Sequence, residues 1–395
     1  MRNFVLLALS VFVCLLAIEG AARLVFENCY DLPNYKYMPS FLKPPLDLDP
    51  YEMASEKSHA HWVLRPGHKS TIEIFIADKE ALKRTLTARI LKEKIPGSNN
   101  SLVEIMRVNE DGFVGDALDT TREFPRILML GDSVTFGSGS RNYPLFAADE
   151  LEAQGAKAEV INGGVEGYAL RNLNLEFDRY TRIKPDIVTI MIGWNDLFSD
   201  IPWQDDPRRV SRLVWLVDKS YRAFLVRIQD NANYATALYD RDLTPDENAD
   251  EVQALSSYKP IAVAKLEALA LKFTNIGARV YLMTLPSLFG MNAPSEKALK
   301  IGHTPYFTTN PYTVAAMVRQ FNEGVRELSI HDDIDVIDIN KWAKQELQKA
   351  DNFFLDTVHL TDPALEMLGR EIGRQLTPIV MDISDQKNYS NKKMN

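Results

Sequence analysis

From about residue 123 onward the chain alternates between two textures. Short apolar runs at Arg126–Leu130, Ala158–Ile161, Asp186–Ile192, Arg279–Leu285 and Ile334–Ile339 are each followed by turn-forming residues, and stretches of helical spacing separate them. Continuous apolar runs of this length suit strands buried on both faces. Their alternation with helices predicts an α/β three-layer sandwich around a five-stranded parallel sheet. Ligands bind such sheets beyond the carboxyl ends of the strands, so the residues directly after each run are the first to inspect for chemistry.

The pattern outside this body differs. Residues 31–122 carry Pro33, Pro39, Pro44, Pro45 and Pro50, then an alternating run from Thr71 to Ile76 and another at Ser101–Arg107. They read as a stalk followed by a small accessory region with a few strands. The body, residues 123–380, is interrupted by insertions at about 199–256 and 289–311. The first contains Val210, Val214, Val217, Tyr221, Phe224 and Ile228 spaced by four and three, with Arg208, Arg209, Arg212, Lys219, Arg222 and Arg227 on the remaining faces. That spacing predicts a basic amphipathic helix over Arg208–Ile228, packed on the body, capping a site, or touching an anionic membrane surface. The acid-rich Asp240–Glu251 reads as a solvated loop, and Phe289–Pro311 as a loop over the sheet edge. A terminal helix is expected from about Asp362 to Leu376, and residues 381–395 form a lysine- and asparagine-bearing tail expected to be disordered.

Residues 1–30 are the most apolar part of the chain. Phe4–Ile18 is interrupted only by Ser10 and Cys14, and as a helix it is about 22 Å long, short of the roughly 30 Å hydrocarbon core. Continuing to Phe26 with Glu19 and Arg23 at the outer interface makes a membrane anchor. Arg2 and the free amine would then stay cytoplasmic, with the remainder exported. A cleaved signal segment is the rival, because Gly20-Ala21-Ala22 supplies small residues for a peptidase; a buried core helix is a third reading. The expected location is therefore extracytoplasmic, membrane-anchored or secreted after cleavage.

Composition narrows the functional classes only a little. With 395 residues, 46% hydrophobic and 25% charged, the chain is globular, and its net charge of −9 argues against nucleic-acid binding through bulk positive charge. Cys14 and Cys29 are the only cysteines. With Cys14 inside the apolar helix no intramolecular disulfide is expected, and neither belongs to a zinc pattern. His59, His61 and His68 cluster near Glu56 without the spacing of a hydrolase metal site, so they read as surface histidines; no metal and no cofactor are expected.

Four short blocks carry the candidate chemistry. The first strand runs into Gly131-Asp132-Ser133-Val134-Thr135-Phe136-Gly137, where a serine at a strand-to-helix junction can expose its hydroxyl beside helix-terminal amides. The block lacks a phosphate-loop ending and is not a GxSxG elbow. The second is Asn162-Gly163-Gly164-Val165-Glu166-Gly167, whose glycines allow close backbone approach. The third is Gly193-Trp194-Asn195-Asp196, whose asparagine amide is a neutral donor. The fourth is Asp356-Thr357-Val358-His359, a spacing that can bring a carboxylate to one imidazole nitrogen and leave the other facing a nucleophile. Each block alone is an ordinary turn. Glu166 and Asp196 read as solvated loop acids, and Trp194 as either an acyl-pocket wall or core packing.

GDSVTFG, NGGVEG, GWND and DTVH, in this order, resemble the four blocks of the SGNH (GDSL) hydrolase family over about two thirds of the chain. The preceding Arg107–Gly115 segment resembles the lead-in of bacterial members that carry an amino-terminal membrane helix, with Val114 where those members have arginine. The resemblance implies a flavodoxin-like fold. It implies Ser133 as nucleophile, His359 as general base and acid, and Asp356 as the carboxylate that orients the imidazole. It also implies an oxyanion hole from the N–H of Ser133, the N–H of Gly167, the last glycine of its block, and the side chain of Asn195. Asp132 would fix the turn. The implied function is a serine esterase that cleaves short-chain or acetyl O-acyl esters, with a small-molecule or carbohydrate ester as substrate; the N-terminal helix adds the membrane as a partner and makes envelope or exported carbohydrate the expected target. An O-acetyltransferase using the same machinery, and a non-catalytic carbohydrate-binding or assembly protein, are the alternatives.

Overall fold

The computed structural model describes residues 2–25, 51–53, 62–75, 92–94, 100–137, 142–228, 241–290, 292–347 and 350–394. Helix α1 (Arg2–Val25) comes first. The accessory region follows with β1 (Tyr51–Met53), β2 (Trp62–Leu64), β3 (Lys69–Phe75), β4 (Lys92–Lys94) and β5 (Asn100–Arg107). Here β1 and β2 form an antiparallel pair, and β3, β5 and β4 form a three-stranded antiparallel sheet. Of the expected histidine cluster only His68 is described; His59, His61 and Glu56 lie outside the described residues, as do Cys29 and the proline-rich stalk. Among the described residues no group of three His, Cys, Asp or Glu side chains is placed to hold a metal ion.

The body begins with β6 (Arg126–Gly131), α2 (Ser133–Phe136), α3 (Tyr143–Ala153), β7 (Glu159–Gly164), α4 (Leu170–Leu175), α5 (Phe177–Arg182), β8 (Ile187–Met191) and α6 (Trp194–Ser199). The first insertion holds α7 (Pro207–Val210), α8 (Arg212–Ile228) and α9 (Asp250–Gln253). The chain then runs through α10 (Ile261–Thr274), β9 (Arg279–Met283), α11 (Glu296–Ile301), α12 (Pro311–Glu327), β10 (Ile334–Ile337), α13 (Ile339–Glu346) and α14 (Asp362–Met394). All five expected strands form, and they pair in parallel in the order β10-β9-β8-β6-β7. Every residue of β6 and β8 is buried, which is why those runs are apolar without alternation. From β6 the chain moves to β7 on one side and crosses back to β8 on the other. The switch point thus lies between β6 and β8, whose ends align with Gly131 opposite Met191.

The accessory strands are fastened to this body. Leu64, Val108 and Phe113 are buried in the common core, and the Val114 N–H donates to the Asn162 carbonyl at 3.2 Å, bridging the edge of β7. The Arg107–Gly115 segment is therefore a docking turn. Arg179 braces it by donating to the carbonyls of Asp111 and Gly112.

Three expectations need correction. The amphipathic helix over Arg208–Ile228 is two helices broken at Ser211, whose backbone is extended. The break is stabilised from a distance: the Glu19 carboxylate of α1 accepts the Ser211 hydroxyl at 2.8 Å and the Arg212 and Leu213 N–H groups at 3.0 and 2.8 Å, capping α8. Its stripe of Val210, Val214, Val217 and Tyr221 is exposed rather than packed on the body. The second insertion contains α11 rather than being all loop. The final helix also does not stop at Leu376 but continues through Pro378 to Met394, because Val380 and Ile383 are buried in the core and packing outweighs the lost backbone bond.

Helix α1 exposes Leu6, Leu9, Val11, Phe12, Val13, Leu15, Leu16 and Ile18, each between 47% and 58%. Among the described residues, however, no helix is long and apolar enough to cross a membrane.

Candidate active site

Ser133 opens α2 directly beyond β6. The Asp132 side chain caps this turn by accepting the Val134 N–H at 3.0 Å. Small residues are needed here because the turn lies against the neighbouring strand: a Cβ on Gly164 would sit 2.2 Å from the Phe136 nitrogen. Thr135 and Tyr143 share a buried hydroxyl–hydroxyl bond of 3.0 Å beneath the turn. Asp132 itself is buried, and desolvation pushes its carboxyl up to about 7 against the opposing Val134 hydrogen bond and His359 charge. Its Oδ2 has no hydrogen-bond partner among the described residues.

The fourth block forms a tight excursion before α14. It is closed by the Leu355 N–H on the His359 carbonyl at 2.8 Å and by the Thr361 N–H on the Phe353 carbonyl at 2.9 Å. Inside it, Asp356 Oδ1 accepts the N–H groups of Val358 and His359 at 2.7 and 2.8 Å, while Oδ2 lies 2.7 Å from His359 Nδ1. His359 Nε2 lies 2.8 Å from Ser133 Oγ. Burial works against a charged imidazole at His359, but the hydrogen bond and charge of Asp356 outweigh it and hold the ring above its ordinary range. Burial likewise opposes ionisation of Asp356, yet the same contacts hold its carboxyl below the usual range. With Nδ1–H donating to Asp356, the lone pair on Nε2 can accept the serine proton. This arrangement is competent to generate an alkoxide-like nucleophile.

The second and third blocks meet beside it. Asn195 Nδ2 donates to the Tyr168 carbonyl at 2.8 Å, which leaves its second amide hydrogen available. Gly167 has φ of +73°, a conformation that favours glycine. Among the described residues, neither its N–H nor that of Ser133 has an acceptor within the chain. Asp196 departs from expectation. It is partly buried, its Oδ2 accepts the Leu170 N–H at 3.0 Å, and desolvation pushes its carboxyl up to about 6. It is a brace for the 167–170 turn, not a solvated acid. The Glu166 residue is exposed as expected, and Trp194 is buried in the core, edge-on to Phe198.

Two neighbours of the site carried no signal in the sequence. His303, from the second insertion, shares two hydrogen bonds with Thr357 through its backbone and meets Phe198 edge-on at 5.5 Å. Burial lowers its imidazole below the ordinary range, partly countered by Asp356. Trp62, from β2, donates its indole N–H to the Glu166 carbonyl at 2.9 Å and accepts the Tyr168 hydroxyl on its own carbonyl at 2.6 Å.

Several known proteins are similar to this chain. Among solved structures, the acetylxylan esterase Axe2 from Geobacillus stearothermophilus is 19% identical, with a TM-score of 0.37 over 63% of this chain and 91% of that one. The acetyl xylan esterase AlAXEase is 15% identical, with a TM-score of 0.39 over 64% and 99%. A putative lipolytic protein of the G-D-S-L family from Desulfitobacterium hafniense DCB-2 is 15% identical, with a TM-score of 0.36 over 63% and 98%. No curated protein sequence matches the chain. Residues 129–364, well over half of the chain and spanning all four blocks, match the family model of the GDSL-like lipases and acylhydrolases. The chain belongs to this GDSL-like lipase/acylhydrolase family of ester-hydrolysing enzymes.

Proposed function

We propose that the protein is a serine esterase that hydrolyses short-chain O-acyl esters, acetyl esters above all, through an acyl-enzyme. The observation that carries this reading is the continuous contact from Asp356 through both nitrogens of His359 to Ser133 Oγ. In the first half-reaction Ser133 Oγ attacks the ester carbonyl carbon as His359 Nε2 takes its proton. Asp356 stabilises the imidazolium that results. The carbonyl oxygen, now negative, is held by the N–H groups of Ser133 and Gly167 and by the Asn195 amide. His359 returns the proton to the leaving alcohol as its C–O bond breaks. In the second half-reaction water attacks the acyl carbon, its proton passes to His359 and then to Ser133, and the carboxylic acid leaves.

We infer the substrate class from the amino terminus. We read α1, with its apolar side chains exposed, as the attachment to a membrane with the hydrolase body on the extracytoplasmic side. Acylated envelope or exported carbohydrate is then the ester within reach. The exposed stripe of Val210, Val214, Val217 and Tyr221 lies on the insertion that Glu19 of α1 caps, which supports attachment through this face.

The deciding experiment compares hydrolysis of short-chain p-nitrophenyl esters and acetylated sugars by the full chain and its Ser133→Ala variant, with acceptor sugars present. Loss of activity in the variant is expected, and equal rates would overturn the reading. Acyl transfer to the sugar in place of acid release would replace hydrolysis with transferase activity. Mass spectrometry of the membrane fraction tests the attachment: recovery of α1 in the mature chain is expected, and a chain beginning near Arg23 would refute it.

A further inference from the structure

We propose that Trp62, supplied by the accessory region, is a positioning residue for the oxyanion hole: it holds the Glu166–Gly167 peptide segment so that the Gly167 N–H faces the developing negative charge. The inference rests on the reading of Gly167 as an oxyanion donor.

Three independent contacts converge on this one turn. The indole N–H donates to the Glu166 carbonyl at 2.9 Å, which fixes the peptide plane whose other end is the Gly167 N–H. The edge of the ring closes over the glycine itself, since a Cβ there would lie 2.9 Å from Trp62 Cζ2. Tyr168, the next residue, donates its hydroxyl to the Trp62 carbonyl at 2.6 Å and meets the indole edge-on at 6.2 Å between centroids.

The other side of the turn is held by Asn195 on the Tyr168 carbonyl and Asp196 on the Leu170 N–H. The turn is also closed by the Tyr168 N–H on the Val165 carbonyl at 3.2 Å, and Trp62 adds to this the hydrogen bond that lands on the Glu166–Gly167 peptide itself. A peptide plane free to rotate aims its N–H away from the oxyanion, and a misplacement of about 1 Å can cost roughly a hundredfold in rate. The accessory region thus contributes to catalysis without touching substrate. Its own anchoring, through Leu64 in the core and the Val114 bridge to Asn162, gives the indole a rigid base.

The test uses the full chain carrying Trp62→Phe, which keeps a ring and removes the donor, and Trp62→Ala, which removes both. We expect kcat to fall roughly tenfold and roughly a hundredfold, respectively, with KM within about twofold of wild type. The pH midpoint of kcat/KM should move little, because the contacts among Ser133, His359 and Asp356 are unchanged and only the Glu166 charge, a minor support of the His359 imidazolium, lies on the loosened turn. The selective readout is the preference for an oxo-ester over its thiono counterpart, which depends on the oxyanion donors. That ratio should fall in both variants, whereas general loosening of the fold would leave it unmoved. If Trp62→Ala does not fold, Trp62→Phe and Tyr168→Phe carry the test. Wild-type kcat and an unchanged oxo/thiono ratio, with Ser133→Ala inactive, would overturn the role of Trp62 alone. An active Ser133→Ala would instead overturn the underlying esterase reading.

Discussion

The Asn195 side chain donates to the Tyr168 carbonyl at 2.8 Å, so the third sequence block holds the second. One amide hydrogen braces the turn, and in the proposed mechanism the other meets the oxyanion. Asn195→Ala removes both functions, and kcat is expected to fall by roughly 10²–10³ with little change in KM. Asn195→Asp should be no better, since a carboxylate offers no donor and repels an oxyanion. Steady-state kinetics on a short-chain ester measures both, and a wild-type kcat in either variant would remove Asn195 from the oxyanion hole.

The Asp356 carboxylate is fixed before it meets the imidazole, because two backbone N–H groups already hold Oδ1. Asp356→Asn keeps the shape but loses the charge that favours the correct tautomer. A drop in kcat of roughly 10⁴ is expected. Retention of more than a tenth of wild-type activity would mean that another group orients His359.

In the proposed mechanism the active base is neutral His359, and Asp356 holds its titration above the ordinary imidazole value of 6.5. As pH falls through that raised midpoint the imidazole becomes protonated, so kcat/KM should decline on the acid side with a midpoint above 6.5. In Asp356→Asn the supporting charge is gone and burial remains, which moves the midpoint of the residual activity downward. A pH–rate profile of both proteins checks the direction, and coincident midpoints would contradict it.

Asp132 has a carboxyl raised by burial from 3.8 to about 7. Its contribution to stability is therefore fully present below pH 3.8 and is lost as pH rises through about 7. Asp132→Asn can still accept the Val134 N–H while removing the buried charge. Relative to wild type, its Tm should be higher at pH 8 than at pH 5, by roughly 2–4 °C per kcal/mol of relief. The His359 midpoint should also fall, because the Asp132 charge supports it. Thermal melts at the two pH values decide the first point, and a pH-independent Tm difference would show that the Asp132 carboxyl is not raised in the folded protein.

The body was legible because its signals are local. An apolar run such as Ile187–Met191 is a buried strand whatever surrounds it, and Ser133, Asn195 and the Asp356–His359 pair sit directly beside such strands or a helix start. What escaped notice depends on partners distant in sequence. Asp196 looks like any loop acid until the fold brings the Leu170 N–H to it. Trp62 belongs to no motif, and only the docking of β2 sets it over Gly167. The break at Ser211 is invisible in a helical spacing that runs straight through it, because the carboxylate that caps α8 is contributed by Glu19. Pro378 reads as a stop, yet buried Val380 and Ile383 carry α14 past it.

That Glu19 cap links two events that would otherwise be separate. A peptidase cutting between Ala22 and Arg23 would carry the carboxylate away with the excised helix and leave the Ser211 hydroxyl and two α8 amides to find water. The loss of such a cap costs about 1 kcal/mol of helix stability. Trimming the amino terminus would thus do more than release the chain: it would loosen the first turn of α8, so any such cut would change the shape of the insertion as well.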